Sequence, residues 1–226
     1  MSKQEITENN FISQYQAFIN WTLPGLTFYY RDTNDEVDVE KTYPIGKIIR
    51  SGFFIDTSSY AKKPCSRIRF IIASAHNAEL HKTDICDPFT KECKLCVLHP
   101  NSYLKVMDIY KVKEQYQVFL LHIPFHSIPL ISGNVSFNVD FGNGQNNEYL
   151  VDRARKSFDE KLKMDADEKL ESEIWKDRTK DLVGIMADGS YASLKFSLDK
   201  VTLNLELGCR KIANDVNPIN FPVNMK

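Results

Sequence analysis

The residues with the most specific chemistry in this sequence are cysteines. Cys93 and Cys96 stand in a Cys-x-x-Cys spacing, and Cys86 lies a short distance upstream. Two thiolates in that spacing reach the same tetrahedral metal ion, and zinc is the ion that such sites hold most often. We therefore predict a structural zinc ion at this cluster.

A structural zinc site takes four protein ligands, so a histidine must complete the set. His81 stands before the cysteines and is our choice, and the predicted ligands are Cys86, Cys93, Cys96 and His81. His99 and His76 are the alternatives for the fourth position. The other interpretation is that the three cysteines are unligated thiols in a polar loop. Clustered free thiols in a wet loop would be prone to oxidation, which favours the metal.

The cysteine count also bears on the cellular compartment. Five cysteines form an odd set, which suits metal ligation or free thiols better than a disulfide framework. Cys65 and Cys209 lie outside the cluster, and we interpret them as packing residues. No secretory leader is visible, and the longest apolar stretches are much shorter than a membrane span. We predict a cytoplasmic protein without a membrane partner.

The middle of the chain is basic, although the formal net charge of the whole is −1. Several of its cations alternate with aromatic residues on predicted strands. Proteins that bind single-stranded nucleic acid combine cations for the phosphates with ring faces for the bases. The predicted nucleic-acid contacts are Arg67, Arg69, Tyr103, Lys105, Tyr110, Lys111 and Tyr116. An antiparallel sheet with one wet face would alternate in the same way without binding a nucleic acid.

Signatures of catalysis are weak. The sequence contains no P-loop, GxGxxG, HExxH or GxSxG motif. Four histidines and three aspartates could supply a hydrolytic metal site, but no spacing supports it. They are His76, His99, His122, His126, Asp84, Asp87 and Asp108. We favour a protein without catalysis, with a structural or interaction module as the first alternative and a metal-dependent hydrolase as the second.

The first two thirds of the chain predict one helix followed by strands. Residues 7–20 place apolar side chains at helical spacing, and Pro24-Gly25 end the pattern. Aromatic and β-branched residues then predict five strands. These strands are Leu26–Tyr30, Ile48–Ile55, Ile68–Ala75, Tyr103–Lys111 and Tyr116–Ile123. The last two are separated by a few polar residues, which indicates an antiparallel hairpin.

The last third of the chain differs in composition. Ser136–Phe141 alternates like a strand, and residues 147–182 repeat apolar residues every four positions among many charges. We predict one long helix there, whose apolar stripe could dock a protein partner. Ala192–Ser197 and Val201–Leu207 then predict a second hairpin before an irregular tail.

Together these elements predict an α+β fold. With 42% hydrophobic and 26% charged residues, the composition is that of a folded globular protein. We expect a single domain over residues 1–226, with a β-rich core at 26–141, the long helix at 147–182, and a C-terminal hairpin and tail at 190–226. The core would be an antiparallel sheet or a β-barrel, for which an OB-like barrel is one form, with an N-terminal helix and the long C-proximal helix outside it.

Residues 66–131 also resemble a known family. A strand, a histidine and cysteine insertion with Cys86, Cys93 and Cys96, and then paired strands are similar to the zinc-containing single-stranded-DNA-binding proteins of T-even phages. The resemblance implies an OB-type barrel with a zinc subdomain, and it would make Tyr103, Tyr110 and Tyr116 stacking residues. The family's basic N-terminal arm and acidic C-terminal tail are not found in this sequence. On this basis we predict a protein that binds single-stranded nucleic acid.

Overall fold

A seven-stranded sheet forms the centre of the molecule. The computed structural model describes residues 8–131, 138–139, 148–185 and 200–213. The strands of this sheet are β1 (Thr27–Thr33), β2 (Ile48–Arg50), β3 (Ile55–Ser58), β4 (Ile68–Ser74), β5 (Leu95–Leu98), β6 (Tyr103–Val112) and β7 (Gln115–Ile123). Two further short strands, β8 (Asn138–Val139) and β9 (Glu148–Tyr149), pair with each other.

The helices lie before, between and after these strands. They are α1 (Glu8–Thr22), α2 (Val39–Thr42), α3 (Pro88–Glu92), α4 (Leu150–Leu162), α5 (Glu173–Arg178) and α6 (Lys200–Ile212). Short 3₁₀ turns occur at Leu80–Lys82 and Phe125–Ser127. Among the described residues, no helix combines the length and the apolar character needed to span a membrane.

The strand order is β2-β6-β7-β4-β1-β3-β5. Neighbouring strands are antiparallel except for β4 and β7, which run parallel from the pair Ile68 and Tyr116 to the pair Ala73 and Leu121. Because β4 lies in the middle of the sheet, every residue from Ile68 to Ser74 is buried. Strands that are buried on both faces have near-continuous apolar sequences, and Ile-Arg-Phe-Ile-Ile-Ala-Ser fits that pattern.

Alternate residues of the central strands contribute to two hydrophobic cores, one on each face of the sheet. On the first face, Phe70 and Leu120 pack with Tyr43 of the segment after α2 and with Val183 and Ile185. On the second face, Ile71, Phe119 and their neighbours pack with α1 through Phe18 and with α4 through Leu150 and Ala154. Helices α1 and α4 therefore cover the second face.

Residues 178–185, which we call the closing segment, cross the first face. Arg31 of β1 is buried and donates hydrogen bonds to the carbonyl oxygens of Asp181 at 2.8 Å and Arg178 at 3.4 Å. Thr33 donates to the carbonyl of Lys180, and the Tyr43 hydroxyl donates to the carbonyl of Val183 at 3.1 Å. Side chains from two elements thus hold one stretch of backbone.

The predicted α+β class is confirmed, and so are the N-terminal helix and the hairpin of β6 and β7. The sheet is not purely antiparallel, because β4 and β7 pair in parallel. An OB-like barrel is not confirmed, since β2 and β5 are the two edges of an open strand order. The sequence pattern could not indicate the parallel pair, because β4 and β7 are far apart along the chain.

The single long helix predicted over residues 147–182 is wrong. Helix α4 ends at Leu162, and α5 begins only at Glu173. Between them the Asp167 carboxylate accepts hydrogen bonds from the backbone N–H groups of Lys169 and Leu170, a local turn that competes with helix. Ser172 then caps α5 by accepting from the N–H of Trp175. The part of the predicted stripe that lies in α4 is not an open docking surface, because Ala154 and Phe158 are fully buried in the protein.

The prediction of a C-terminal hairpin is wrong for the part of it that the structure describes. Val201–Leu207 lies inside helix α6. Its partner Ala192–Ser197 lies outside the described residues, as does most of the tail. The predicted strand Ser136–Phe141 contains β8, and its remaining residues also lie outside the described part of the chain.

Candidate functional site

The parallel pairing of β4 and β7 brings the carboxyl ends of two central strands to one edge of the sheet. Ser74 is the last residue of β4, and His122 is the penultimate residue of β7. In open α/β sheets, ligands bind in the crevice outside the carboxyl ends of parallel strands. The side chains at this edge are therefore the first candidates for a functional site.

Ser74 and His122 form a hydrogen-bonded pair. The Ser74 Oγ lies 2.9 Å from Nδ1 of His122, and it accepts a second hydrogen bond from the backbone N–H of His76 at 3.0 Å. A serine beside a histidine is the arrangement of an activated nucleophile. The Ser74 hydroxyl is buried, however, and it is already engaged with His122 and with the N–H of His76, so it is not a free nucleophile. Its role here is to fix the ring of His122.

His76 stacks on Trp21 at the end of α1. Their ring centroids are 4.1 Å apart, and the planes differ by 26°. The Nε2 of His76 lies 2.8 Å from the carbonyl oxygen of Trp21. A carbonyl can only accept, so Nε2 carries the proton and, in the neutral ring, Nδ1 is an acceptor. The edge of the Trp21 ring also faces His122, with the centroids 4.9 Å apart.

Four polar atoms in the two dipeptides Trp21-Thr22 and His76-Asn77 are buried and have no hydrogen-bond partner. They are the indole Nε1 of Trp21, Oγ1 of Thr22, Nδ1 of His76 and Oδ1 of Asn77. The other end of the Asn77 amide donates to Oγ1 of Thr57 at 3.3 Å. A buried polar atom without a partner costs about 1–3 kcal/mol, so each of these four atoms requires a partner such as water or a ligand.

A third histidine adjoins the pair. The ring of His99 lies 5.9 Å from that of His122, and its Nδ1 is 3.1 Å from both the Pro100 carbonyl and the Ser102 Oγ. Both His99 and His122 are buried. We call the set of Trp21, His76, Asn77, His99 and His122 the histidine edge. It combines aromatic faces with hydrogen-bonding atoms of both kinds.

The predicted zinc site is not formed, and this prediction is corrected. Within the described residues, which include all four predicted ligands, no group of three or more His, Cys, Asp or Glu side chains could hold a metal ion. Cys96 Sγ lies 3.5 Å from Nδ1 of His81, but Cys93 packs with Trp175 and Leu170 instead. Cys86 is half-buried and packs against the same cluster as Cys93.

Burial also affects the two thiols of the Cys-x-x-Cys spacing. It raises the pKa of Cys93 to about 11 and that of Cys96 to about 12. Both thiols therefore carry their protons at neutral pH in the metal-free protein. The alternative ligands His76 and His99 lie at the histidine edge. The same geometric finding removes support for a hydrolytic metal site among the described residues.

The predicted nucleic-acid face is also not formed, since its cations serve the fold. Arg69 is 1% exposed and binds the carboxylate of Asp32 through two nitrogens at 2.6 Å. Lys105 is equally buried, and its Nζ donates to the carbonyl of Ile131 at 2.6 Å. Arg67 donates to the carbonyls of Asp35 and Val37.

The predicted stacking tyrosines are engaged as well. The Tyr103 ring lies 5.1 Å from that of Phe125. Tyr110 donates to the carboxylate of Asp159, and Lys111 lies over the ring of Tyr116 at 4.7 Å. The seven predicted contact residues therefore do not gather into one open surface for bases and phosphates.

Known proteins resemble this chain only in part of the fold. No family model matches the chain. No curated protein matches it either. The solved structures that match do so at low identity over part of their length.

Three of these solved structures illustrate the likeness. The ADP-ribosyltransferase HopU1 of Pseudomonas syringae is 14% identical, with a TM-score of 0.37 over 43% of this chain and 45% of its own. The C3 exoenzyme of Clostridium limosum is 10% identical, with a TM-score of 0.36 over 50% of this chain and 67% of its own. An ADP-ribosyltransferase toxin from Paenibacillus larvae is 14% identical, with a TM-score of 0.34 over 55% and 74%. The chain spans about half the length of HopU1.

These findings correct the functional prediction. The neighbours named above include ADP-ribosyltransferases and not single-stranded-DNA-binding proteins, and neither the barrel nor the basic face is present in the described structure. Partial overlays at this identity transfer no activity to the chain. The functional candidate is therefore the histidine edge, which rests on its own geometry.

The residue types and their spacing in the sequence do not indicate the histidine edge. The sequence singles out His76, His99 and His122 as histidines, but nothing in it links them to Trp21 or Asn77. Their proximity follows from the parallel pairing of β4 and β7 and from the end of α1. A signal that could have helped is the position of Ser74 and His122 at the ends of two apolar strands.

Proposed function

We propose that the protein binds a small ligand with neighbouring hydrogen-bond donor and acceptor atoms, such as a primary carboxamide, at the histidine edge. The observation that carries this proposal is the set of four unpartnered buried atoms in Trp21-Thr22 and His76-Asn77. The indole N–H needs an acceptor, while Nδ1 of His76 and Oδ1 of Asn77 need donors. A carboxamide supplies both from adjacent atoms.

The aromatic residues suit a flat ligand. The stacked rings of Trp21 and His76 present a ring face at the edge of the sheet, and both residues are half-buried rather than enclosed. Ligand sites combine such aromatic surface with a few fixed polar groups. His122 is held in one orientation by Ser74, so the site needs little rearrangement around that ring.

Benzamide is the direct probe, with benzoate as its matched control. Benzoate has the same ring and a carboxylate that accepts but cannot donate, so it leaves Nδ1 of His76 and Oδ1 of Asn77 unsatisfied. We expect benzamide to bind about tenfold or more tightly than benzoate, since an unmet buried acceptor costs about 1–3 kcal/mol. NAD carries the same carboxamide and tests whether the site admits a larger ligand.

Trp21→Phe keeps an aromatic ring and removes the indole N–H. We expect this variant to weaken benzamide binding about fivefold, the value of one ordinary hydrogen bond. Titration of labelled protein by NMR measures the affinity and reports the indole N–H signals directly. Trp175→Phe is the control, because Trp175 lies in a different cluster beside Cys93 and Leu170. Equal affinities in Trp21→Phe and wild type would contradict the proposal.

The cytoplasmic location stays a prediction, and it is compatible with such a ligand. It rests on the odd number of cysteines and the free thiols of Cys65, Cys86, Cys93, Cys96 and Cys209. Fractionation of the source cells, with this chain detected by antibody, tests it.

A further inference from the structure

A hollow of about 510 Å³ lies at the opposite end of β4 and β7 from the histidine edge. Its walls are the segment before β4 (Lys63–Arg67), the turn between β6 and β7 (Glu114 and Gln115), the connection between α4 and α5, and Asn34 after β1. The volume falls within the range of small-molecule sites, which is about 300–1,000 Å³. The hollow is open, so a ligand can reach its walls from solution.

Hydrogen bonds join these walls to one another. The backbone N–H of Cys65 donates to the Asp32 carboxylate of β1 at 3.0 Å, and the Cys65 thiol lies 3.4 Å from the carbonyl oxygen of Leu170. Gln115 donates through Nε2 to the carbonyl oxygen of Pro64 at 3.3 Å. The segment before β4 is therefore tied to β1, to the connection between α4 and α5, and to the turn between β6 and β7. A hollow held in this way is preformed, which lowers the cost of ordering it around a ligand.

Charged side chains of both signs line the hollow. Lys63 and Arg67 come from the segment before β4, whereas the carboxylates of Glu114 and Glu171 come from two other walls. Lys176 also lines the hollow, but its ammonium group is paired within α5 at 3.1 Å. Over the described part of the chain, no ion pair joins the first two cations to the two carboxylates. Opposite charges therefore line one hollow without neutralising each other directly.

The other contacts of these side chains leave their charges in place. The Arg67 guanidinium donates to the carbonyl oxygens of Asp35 and Val37, which are neutral groups. The Glu114 carboxylate raises the pKa of Lys111 in β6 through its charge, as a smaller influence than the ring of the following tyrosine. Neither contact uses up the charge that faces the hollow.

From these observations we propose that the hollow binds a zwitterionic ligand of the class of amino acids and short peptides. The ligand carboxylate lies against Lys63 and Arg67, and its ammonium group lies against Glu114 and Glu171. A ligand with both charges joins walls that do not pair with each other, whereas a ligand of one sign meets like charges on one of the walls. The ring of Pro64 gives an apolar surface for the carbon atoms between the two charged ends.

The exposure of the charges sets the expected affinity. Lys63, Glu114 and Glu171 are exposed, and Arg67 is half-buried. Exposed ion pairs contribute little each and are screened by salt. We therefore expect binding in the millimolar range that weakens as the salt concentration rises.

Triglycine is the probe, because it carries one ammonium group, one carboxylate and no side chain. It is titrated into the isotope-labelled full chain at pH 7, and NMR follows the backbone N–H signals of Cys65, Ser66 and Gln115. N-acetyltriglycine lacks the ammonium group, and triglycine amide lacks the carboxylate, so both serve as matched ligands at the same ionic strength. We expect saturable shifts with triglycine and binding about threefold or more weaker for each capped peptide.

Two variants assign the charges to their walls. Lys63→Met should weaken the binding of triglycine about threefold and leave that of triglycine amide unchanged, since the amide has no carboxylate for Lys63. Glu171→Gln should weaken the binding of triglycine by a similar factor and leave that of N-acetyltriglycine unchanged. Lys156→Met is the control, because Lys156 is exposed on α4 and does not line the hollow. It should bind all three peptides like wild type.

Three results would overturn the inference. They are the absence of saturable shifts with triglycine, a capped peptide that binds as tightly as triglycine, and a Lys63→Met variant that weakens triglycine and its amide equally. The charged side chains of the hollow would then be ordinary solvated groups. Benzamide binding at the histidine edge is measured separately, so this inference and the proposed function can fail independently.

Discussion

Cys96 keeps its proton because its side chain is enclosed in β5. Burial is the largest influence on its pKa, which rises to about 12, and the nearby Glu79 carboxylate raises it further while a hydrogen bond with Ser59 lowers it. Folded and unfolded chains both carry this proton below about pH 9. Between about pH 9 and 12 the unfolded chain loses the proton and the folded chain retains it. The contribution of Cys96 to the free energy of unfolding is therefore fully present below about pH 9. It is lost progressively as the pH rises from about 9 to about 12.

Cys96→Ala tests this titration. Between pH 8 and pH 10.5 we expect the free energy of unfolding of the wild type to fall about 2 kcal/mol more than that of the variant, at about 1.4 kcal/mol per pH unit above pH 9. Urea unfolding followed by circular dichroism at both pH values measures the difference. Equal pH dependence in wild type and Cys96→Ala would show that the buried thiol does not titrate as described.

At the residue scale, the sequence identifies chemical types but not their surroundings. Arg69 and Lys105 are cations, yet both are buried and neutralised or hydrogen-bonded within the sheet. Their environment is set by strands that are remote in sequence: Asp32 meets Arg69 only because β1 and β4 pair. Spacing along one strand therefore could not distinguish a binding cation from a structural one.

The closing segment is held by side chains of other elements through its backbone carbonyls. Arg31, Thr33 and Tyr43 donate to four of its carbonyl oxygens, and Val183 and Ile185 fill the first core. Because the carbonyls must point at these donors, the chain needs an unusual conformation. Gly184 provides it with a φ of +69°.

Gly184→Ala should therefore destabilise the protein more than a comparable glycine substitution elsewhere. A Cβ there would lie 3.1 Å from the backbone oxygen of Arg50 and 3.3 Å from Ile49. Gly25 also has a positive φ, of +77°, but a Cβ there meets nothing within 4 Å. We expect the free energy of unfolding to fall by about 1 kcal/mol in Gly25→Ala and by about 2–3 kcal/mol in Gly184→Ala. Urea unfolding measures both changes. Equal losses would mean that the close approach to β2 is not rigid.

At the element scale, periodic patterns predict α1 and the hairpin of β6 and β7 well. They fail over residues 147–182, where apolar residues every four positions continue through the break between α4 and α5. The turn at Asp167 and the cap at Ser172 interrupt the backbone without changing that pattern. They also fail at Val201–Leu207, where alternating residues lie in helix α6, because tertiary packing can override a strand-like pattern.

At the scale of the whole molecule, the single domain over residues 1–226 stays a prediction. The described parts support it through long-range contacts, since α4 and the closing segment pack on opposite faces of one sheet. The two tryptophans lie in different parts of the structure. Trp21 lies at the histidine edge, and Trp175 lies in the cluster with Cys93 and Leu170.

Fluorescence of the two single-tryptophan variants tests the prediction. Trp21→Phe leaves Trp175 as the reporter, and Trp175→Phe leaves Trp21. If the chain unfolds as one unit, each variant should show urea transitions by fluorescence and by circular dichroism with the same midpoint. Two separated midpoints within one variant would show that the regions around these tryptophans unfold independently.

The parallel pair of β4 and β7 has a consequence for how quickly the chain finds its fold. β4 pairs with β1 and β7, β2 pairs with β6, and β3 pairs with β5, so most strand neighbours are separated by long stretches of chain. Folding slows as contacts become more remote in sequence, because loop closure precedes the gain from pairing. The hairpin of β6 and β7 forms locally, and we expect it to be the nucleus onto which β4 docks. Substitutions such as Val118→Ala should then slow folding, whereas changes in the closing segment should mainly speed unfolding.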